Sequence, residues 1–368
     1  MTPHFSLRHK TNVSRLCLKL ALCFALAFLG GTLLFPGQSA HADTGTPPCS
    51  GIQYGAFSQS ISFIVAQRQG YFAQEGLSIC YNQVTGSVQQ FNDLLAGNYD
   101  LISTASDNVV NRYVNQQLPL QLFSSFDRGT GLDLVANTSN GINSIEDLRG
   151  KSIIVDAPDS GFAYALEKIL LEHGLSLANG DYSFQPVGGV ALRYQQLLAG
   201  QNTSGPVYAT LLSSPFTVLS TYQPHLKILD TLSNYVNPYQ GTSLASTRTY
   251  AQAHPEVIEA FLRAMIRAQR YALDPANHDT LIGDIASVFN VSPQVANDIL
   301  VDAFNAQTGE SVNEELDTQG LINVINLRQQ FNGFTTSIDS KQLAKSKKDG
   351  LYYDKYWKDA LRDVKTVS

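Results

Sequence analysis

LSICYNQVTGSVQQFNDLLAGNYDLISTASDN, residues 77–108, decides the fold. An apolar run from Leu77 to Val84 reads as a strand. The turn Thr85-Gly86-Ser87 then leads into Val88, Phe91, Leu94 and Leu95, whose spacing of three and four places them on one face of a helix. Gly97 stops that helix, Tyr99 to Ser103 reads as the next strand, and Thr104-Ala105-Ser106-Asp107-Asn108 opens a further helix. Strand, helix and strand alternating in this order predict a mostly parallel sheet covered on both faces.

The same grammar extends in both directions. Upstream lie a strand from Ile52 to Ala56 and a helix with Ile61, Ile64, Val65 and Phe72 on one face, closed at Gly76; downstream, Leu118 to Phe126 is another strand. After Asn137 the pattern restarts. Ser144 and Asp147 make a variant of the capping box, and Ser152 to Asp156 is a strand feeding Ala157-Pro158-Asp159-Ser160-Gly161. A helix from about Phe162 to His173 follows, stopped by Gly174, and strands run at Tyr182–Val187, Val207–Leu212 and Leu226–Leu232, with Gly188-Gly189 and a helix ending at Gly200 between the first two. Thr242 to Ser246 is a last strand, and His254-Pro255 and Ser292-Pro293 open helices with proline at the first helical position. The C-terminal stretch reads as a basic turn (Lys345, Lys347, Lys348) before an aromatic helix carrying Tyr352, Tyr353, Tyr356 and Trp357. No G-x-G-x-x-G or P-loop appears.

The first 42 residues read as an export signal. Arg8, Lys10, Arg15 and Lys19 precede an apolar run from Leu20 to Leu34, and Ala40-His41-Ala42 predicts cleavage after Ala42. The apolar core of about 15 residues is short of the roughly 20 that span a bilayer. Cys17 and Cys23 each follow a leucine, where lipid attachment needs a small residue. The expected location is therefore periplasmic or extracellular. Four of the 25 Lys and Arg and none of the 31 Asp and Glu lie in this leader, so residues 43–368 carry a net charge of -10. That excess argues against nucleic acid and anionic membranes as partners. Some 326 residues exceed what one core holds comfortably, so two lobes are expected. Cys49 and Cys80 remain after export. They stand before one strand and within the next, so a disulfide and two buried small apolar side chains are both open readings.

Three stretches carry a family resemblance: AQRQGYFAQEGL at 66–77, IEDLRGKSIIV at 145–155 and HPEVIEAFLRAMIRAQRYAL at 254–273. In their order and spacing they resemble the periplasmic solute-binding proteins of the nitrate, taurine and alkanesulfonate type, which include thiamine-pyrimidine-precursor binders. The resemblance implies an α/β, type II periplasmic binding protein of two lobes, each a mostly parallel sheet flanked by helices. Two extended crossings, placed at Leu132–Asn137 and Gln240–Ser246, would join them. The expected organisation is a cleaved signal peptide (1–42), a first lobe in two parts (43–137 and 240–335), a second lobe (138–239) and a helical tail (336–368). It further implies a monomer that takes a small-molecule ligand, needs no cofactor and delivers to an ABC importer whose permease and ATPase are separate polypeptides.

Physical reasoning points to the same face. In open α/β sheets ligands bind beyond the carboxyl ends of the strands, where helix N-termini offer free N–H groups. The turns there are Phe57-Ser58-Gln59, Thr85 with Ser87, Thr104 with Asp107 and Asn108, Asp156 with Asp159, Ser160, Gly161 and Phe162, and Gly188; Asp127, Arg193 and the Tyr239-Gln240 crossing complete the candidate ligand-binding set. Any one of these turns is also explained by ordinary helix capping. Acidic and aromatic residues dominate (Asp107, Asp127, Asp156, Asp159, Phe57, Phe162, Tyr164, Tyr239), which suits an amine or a ring with N–H donors. Arg112, Arg128 and Arg193 favour instead a sulfonate or nitrate-type anion. Relatives in the resembled family often carry Asp-Ala where this chain has Tyr208-Ala209-Thr210, so a relative's ligand does not transfer directly.

An enzyme is the less favoured reading. A fungal pyrimidine synthase shares the resembled fold, but its cysteine cluster has no counterpart here. The seven histidines show no metal-ligand spacing, and there is no G-x-S-x-G elbow. An extracellular sensing module is the remaining alternative.

Overall fold

The computed structural model describes residues 49–129 and 131–366. The leader and its expected cleavage site lie outside the described residues. Residues 49–366 fall within one compact unit.

Strands β1 (Ile52–Ala56), β2 (Ile79–Gln83), β3 (Leu101–Ala105) and β4 (Leu120–Ser125) come from the first stretch of chain. Next come β5 (Asp133–Asn137), β6 (Ser152–Val155), β7 (Ser183–Pro186), the short hairpin β8 (Gln201–Asn202) and β9 (Gly205–Pro206), β10 (Ala209–Leu212) and β11 (Leu226–Thr231). Strand β12 (Thr242–Thr247) returns to the first sheet, whose order is β2-β1-β3-β12-β4. There β2, β1 and β3 are parallel, while β12 runs antiparallel to both β3 and β4. Around β5 a second sheet has the order β10-β5-β11, antiparallel throughout, and β6 pairs with β7 in parallel.

The expected class holds, and the sheets are mixed. The second sheet departs furthest from the mostly parallel expectation, for a topological reason. Strands β5 and β12 are reached directly from the other sheet with no crossover helix of their own, so each enters running against its neighbours. Their places also shift the expected crossings. Asp133–Asn137 pairs wholly within the second sheet and Thr242–Thr247 wholly within the first, so the chain changes sheets before 133 and between 231 and 242.

The helices follow the apolar spacing and the punctuation of the sequence. Ser60 and Ser160 accept hydrogen bonds from the N–H groups of Phe63 and Ala163 at 3.2 and 3.4 Å, fixing the starts of helices Ile61–Arg68 and Gly161–Glu172. Gly97 and Gly200 end their helices at φ +78° and +70°, a conformation that costs a side chain little only when the residue is glycine. The long helix Pro255–Leu273 packs against Ile61–Arg68 and the final helix Lys355–Thr366. Tyr356 donates to Ala251 O at 3.0 Å and Trp357 Nε1 to Asn313 O at 2.7 Å, so the aromatic tail is packed on the first sheet's side. The segment before it lies along β4, with Leu122 N–H to Leu351 O at 2.8 Å, and covers an otherwise open strand edge.

Cys49 and Cys80 are bonded, with Cα atoms 5.7 Å apart. The disulfide reading therefore holds, and it ties the segment preceding β1 to β2.

Candidate functional site

A cavity of about 1030 Å³, open mouth included, lies between the loops of the two sheets. The carboxyl end of β1 contributes Phe57, Ser58 and Gln59, and β3 contributes Ser103 and Ala105. Phe126 and Asp127 follow β4; Asp156, Ser160 and Phe162 follow β6; Ser213, Ser214 and Pro215 follow β10. Asn108, Val190 and Arg193 come from helix first turns, and Phe289, Ile299, Ala303 and Glu310 are also part of the wall.

Loops of the first sheet are bonded to the loops after β6 and β7 around this cavity. Gly189 N–H donates to Thr85 O at 2.7 Å, Ser87 N–H to Asp156 Oδ1 at 3.1 Å, and Gly161 N–H to Asn108 Oδ1 at 3.0 Å. These three bonds bridge the loops on either side of the cavity.

Charge is distributed unevenly over that wall. Asp127 accepts from Gly129 N–H at 2.7 Å and from Thr242 N–H at 3.3 Å. Glu310 accepts from the N–H groups of Ile61 (2.6 Å) and Ser62 (3.1 Å) and from the Ser62 hydroxyl, capping the helix at Ile61. Burial pushes its carboxyl up to about 7, against the pull of those hydrogen bonds. Behind it Glu314 is fully buried with both carboxylate oxygens unpartnered, and burial, with Glu310 and Asp127 adding, holds it well above the ordinary range. Arg193, only 2% exposed, donates from Nε to Gly188 O at 3.0 Å and from Nη1 to Thr210 Oγ1 at 2.8 Å and to Leu211 O. Burial pushes it down to about 10, with Asp156 opposing. Thr210, the residue at the expected departure from relatives, thus holds the arginine, while its own hydroxyl donates to Ile154 O at 2.7 Å.

Half of the expected set lines the cavity: Phe57, Ser58, Gln59, Asn108, Asp127, Asp156, Ser160, Phe162 and Arg193. The rest stand off its lining, each for a visible reason. Asp107 is bound by Arg328, so its charge is already matched. Asp159 is exposed and accepts from Asn111 Nδ2 at 3.3 Å. Thr104 accepts from Asn108 Nδ2, and Thr85 and Ser87 contribute backbone groups to the loop bonds above. Gly161 and Gly188 likewise act through backbone atoms. Tyr239 packs beside Gly129, and Gln240 is buried, donating to Ser125 Oγ at 2.7 Å and accepting from Asp317 N–H at 3.0 Å. Tyr164 lies over Arg328 rather than in the cavity.

Sequence reasoning missed Glu310, Phe126, Ser103 and the Ser213-Ser214-Pro215 turn. The last follows a strand end and was open to the same reasoning as the others. Glu310 was not, because it sits in an irregular loop and reaches its helix from about 250 positions away. Among the described residues no group of His, Cys, Asp and Glu is placed to hold a metal ion, and no helix is long and apolar enough to cross a membrane.

A family model described as NMT1/THI5 like matches residues 58–278. The chain belongs to the NMT1/THI5-like family. Solved structures extend the likeness to the whole fold. A Bordetella bronchiseptica RB50 protein superposes with TM-score 0.69 at 18% identity over 85% of this chain and 97% of its own. The alkanesulfonate-binding protein SsuA from Xanthomonas axonopodis pv. citri, bound to MOPS, gives 0.62 at 16% over 82% and 98%. The periplasmic nitrate-binding protein NrtA from Synechocystis PCC 6803 gives 0.65 at 12% over 85% and 88%. No curated protein sequence matches the chain. At these identities the likeness establishes the fold, so this NMT1/THI5-like chain has the periplasmic binding protein fold.

Proposed function

We propose that this protein is an extracytoplasmic solute receptor, exported by a leader cleaved after Ala42, that closes two lobes on a small organic ligand. The first lobe comprises the β1–β4 stretch with the return segment from β12 onward, and the second the stretch from β5 to β11. It acts as a monomer and delivers its ligand to an ABC importer whose permease and ATPase are separate chains.

The observation that carries this reading is the cavity lined by strand-end loops of both sheets and of the β6-β7 pair, with hydrogen bonds joining the loops of the first sheet to those after β6 and β7. Ligands of α/β sheets sit at this edge. Its carboxylates (Asp127, Asp156, Glu310) outnumber its one arginine, and its rings (Phe57, Phe126, Phe162, Phe289) offer flat apolar surface. An amine-bearing or heteroaromatic solute suits that lining better than nitrate or a simple sulfonate, since a lone anion would face several carboxylates.

The test is a thermal-shift panel on protein refolded to remove carried-over ligand, with aromatic amines, pyrimidines, sulfonates, nitrate and aromatic acids. A ligand at a hundredfold excess over its dissociation constant stabilises the fold by about 2.7 kcal/mol, which moves the melting point by several degrees. Shifts confined to sulfonates or nitrate would overturn the amine reading.

A further inference from the structure

The start of helix Ile61–Arg68 lines the cavity, together with the residues 57–60 that lead into it. The first four N–H groups of a helix lack helical partners, and an anion placed there gains from them. Here the chain's own oxygens take all four. Ile61 N–H donates to Glu310 Oε1 at 2.6 Å and Ser62 N–H to Glu310 Oε2 at 3.1 Å, and the Ser62 hydroxyl donates to the same carboxylate. Phe63 N–H donates to Ser60 Oγ at 3.2 Å and Ile64 N–H to Ser60 O at 3.0 Å. Glu310 also lines the cavity, and backbone bonds fix its place. Its own N–H donates to Ala303 O at 2.6 Å, Arg128 N–H to Gly309 O at 3.1 Å and Ser311 N–H to Phe126 O at 3.0 Å.

We propose, resting on the receptor reading above, that Glu310 is a specificity-determining residue: it is the chain's own anion, seated on the helix start where the oxygens of an anionic ligand would be held, and it bars anions from the cavity. An incoming anion meets like charge there in place of N–H donors. The titratable groups that face Glu310 are Asp127 after β4, Glu314 on its own loop and Tyr54 on β1, and none of the three is a cation. Asp302, at the end of the helix before that loop, faces Ser214 and Asp133 instead. The first turn of helix Ile61–Arg68 brings Glu310 only N–H groups and the Ser62 hydroxyl. Arg193, the arginine of the cavity, already has Asp156 acting on its charge and three oxygens on its Nε and Nη1. Burial raises the Glu310 carboxyl to about 7, so it is ionised at pH 8.5 and protonated at pH 5.5.

The test is calorimetry with nitrate, methanesulfonate and benzoate at pH 8.5 and pH 5.5, at constant chloride concentration. In the wild-type protein at least one of these anions is expected to bind at least about tenfold tighter at pH 5.5 than at pH 8.5, the worth of one nearby like charge. Glu310→Gln keeps the size of the side chain and an acceptor for the N–H groups but carries no charge. It is expected to bind that anion at pH 8.5 at least about tenfold tighter than wild type, and to match wild type at pH 5.5. Glu310→Ala, which also frees the Ile61 and Ser62 N–H groups, is expected to bind it tighter still. Glu314→Gln is the control for the acid behind the cavity and should keep the wild-type difference between the two pH values. Equal anion affinity in wild type at both pH values, absence of binding at both included, would overturn the proposal, as would a Glu310→Gln protein that binds anions at pH 8.5 no better than wild type. Either result alongside binding of an aromatic amine or pyrimidine would leave the receptor reading standing. No binding by any class of the thermal-shift panel, in wild type or variants, would overturn the receptor reading itself. The comparison across pH in wild-type protein decides the matter even if the Glu310 variants do not fold.

Discussion

Arg328 and Asp107 form an ion pair 221 residues apart in sequence, with Nη2 to Oδ2 at 2.5 Å and both side chains almost fully buried. The same guanidinium donates to Asp159 O at 2.6 Å and lies 4.4 Å over the Tyr164 ring, so it joins helices Ser106–Asn115 and Thr318–Gln330 to the loop after β6. Removing one partner leaves the other charge buried and unmatched. Arg328→Met is therefore expected to cost about 3–5 kcal/mol in urea denaturation, and pairing it with Asp107→Leu should restore much of the loss. A cost below about 1 kcal/mol would show that the pair is not what holds these elements together.

This pair also shows where sequence reading stops. Asp107 was placed at the carboxyl edge of β3, and it is there, but nothing near it in sequence announces a cation that arrives from Arg328. The elements themselves were legible, because apolar spacing, proline starts and glycine stops are local. The directions of β5 and β12 were not, since Leu134, Val135 and Ala136 look the same whether a strand enters a sheet forwards or backwards. Phe57 and Asp156 were legible as cavity residues because they follow strand ends directly, and Arg193 because it lies in the first turn of the helix that follows Gly188-Gly189. Glu310 was not, because its loop position has no period and its partners Ile61 and Ser62 lie at the other end of the chain.

Gly188 sits at φ +113°, where a Cβ would stand 2.6 Å from Thr85 O. That carbonyl accepts the Gly189 N–H across the mouth of the cavity. Gly188→Ala is expected to strain the backbone by roughly 1–3 kcal/mol and to separate the two loops. Small-angle scattering should report a larger radius of gyration than wild type, and ligand affinity should fall. An unchanged radius with unchanged melting would mean that this loop contact does not hold the closed form.

The Cys49–Cys80 bond closes a loop with a sequence separation of 31. Restricting the unfolded chain by a loop of this length is worth roughly 3.7 kcal/mol. Cys80→Ser, or reduction, is expected to lower the urea midpoint by the corresponding amount without altering the circular dichroism of the native state. Titration of denatured, unreduced protein should find neither Cys49 nor Cys80 free.

The buried acids give stability a downward slope with pH. Glu310 is pushed from 4.5 up to about 7 and Asp133 from 3.8 up to about 6, both chiefly by burial, and Glu314 moves the same way. Between its unfolded and folded values each group binds more protons in the native state than in the unfolded chain. Its favourable contribution is therefore complete below the unfolded value and is lost as pH rises through the folded one. For Glu310 the window runs from 4.5 to about 7. Acids shifted the other way, such as Asp230, titrate below 3.8 and act outside it. Urea denaturation at pH 5 and pH 8 should show the ligand-free protein more stable at pH 5. Glu314→Gln removes one of these titrations, so it is expected to flatten the slope and to raise stability at pH 8 more than at pH 5. A profile that rises from pH 5 to pH 8 in both proteins would mean that these carboxyls reach water or a partner in solution.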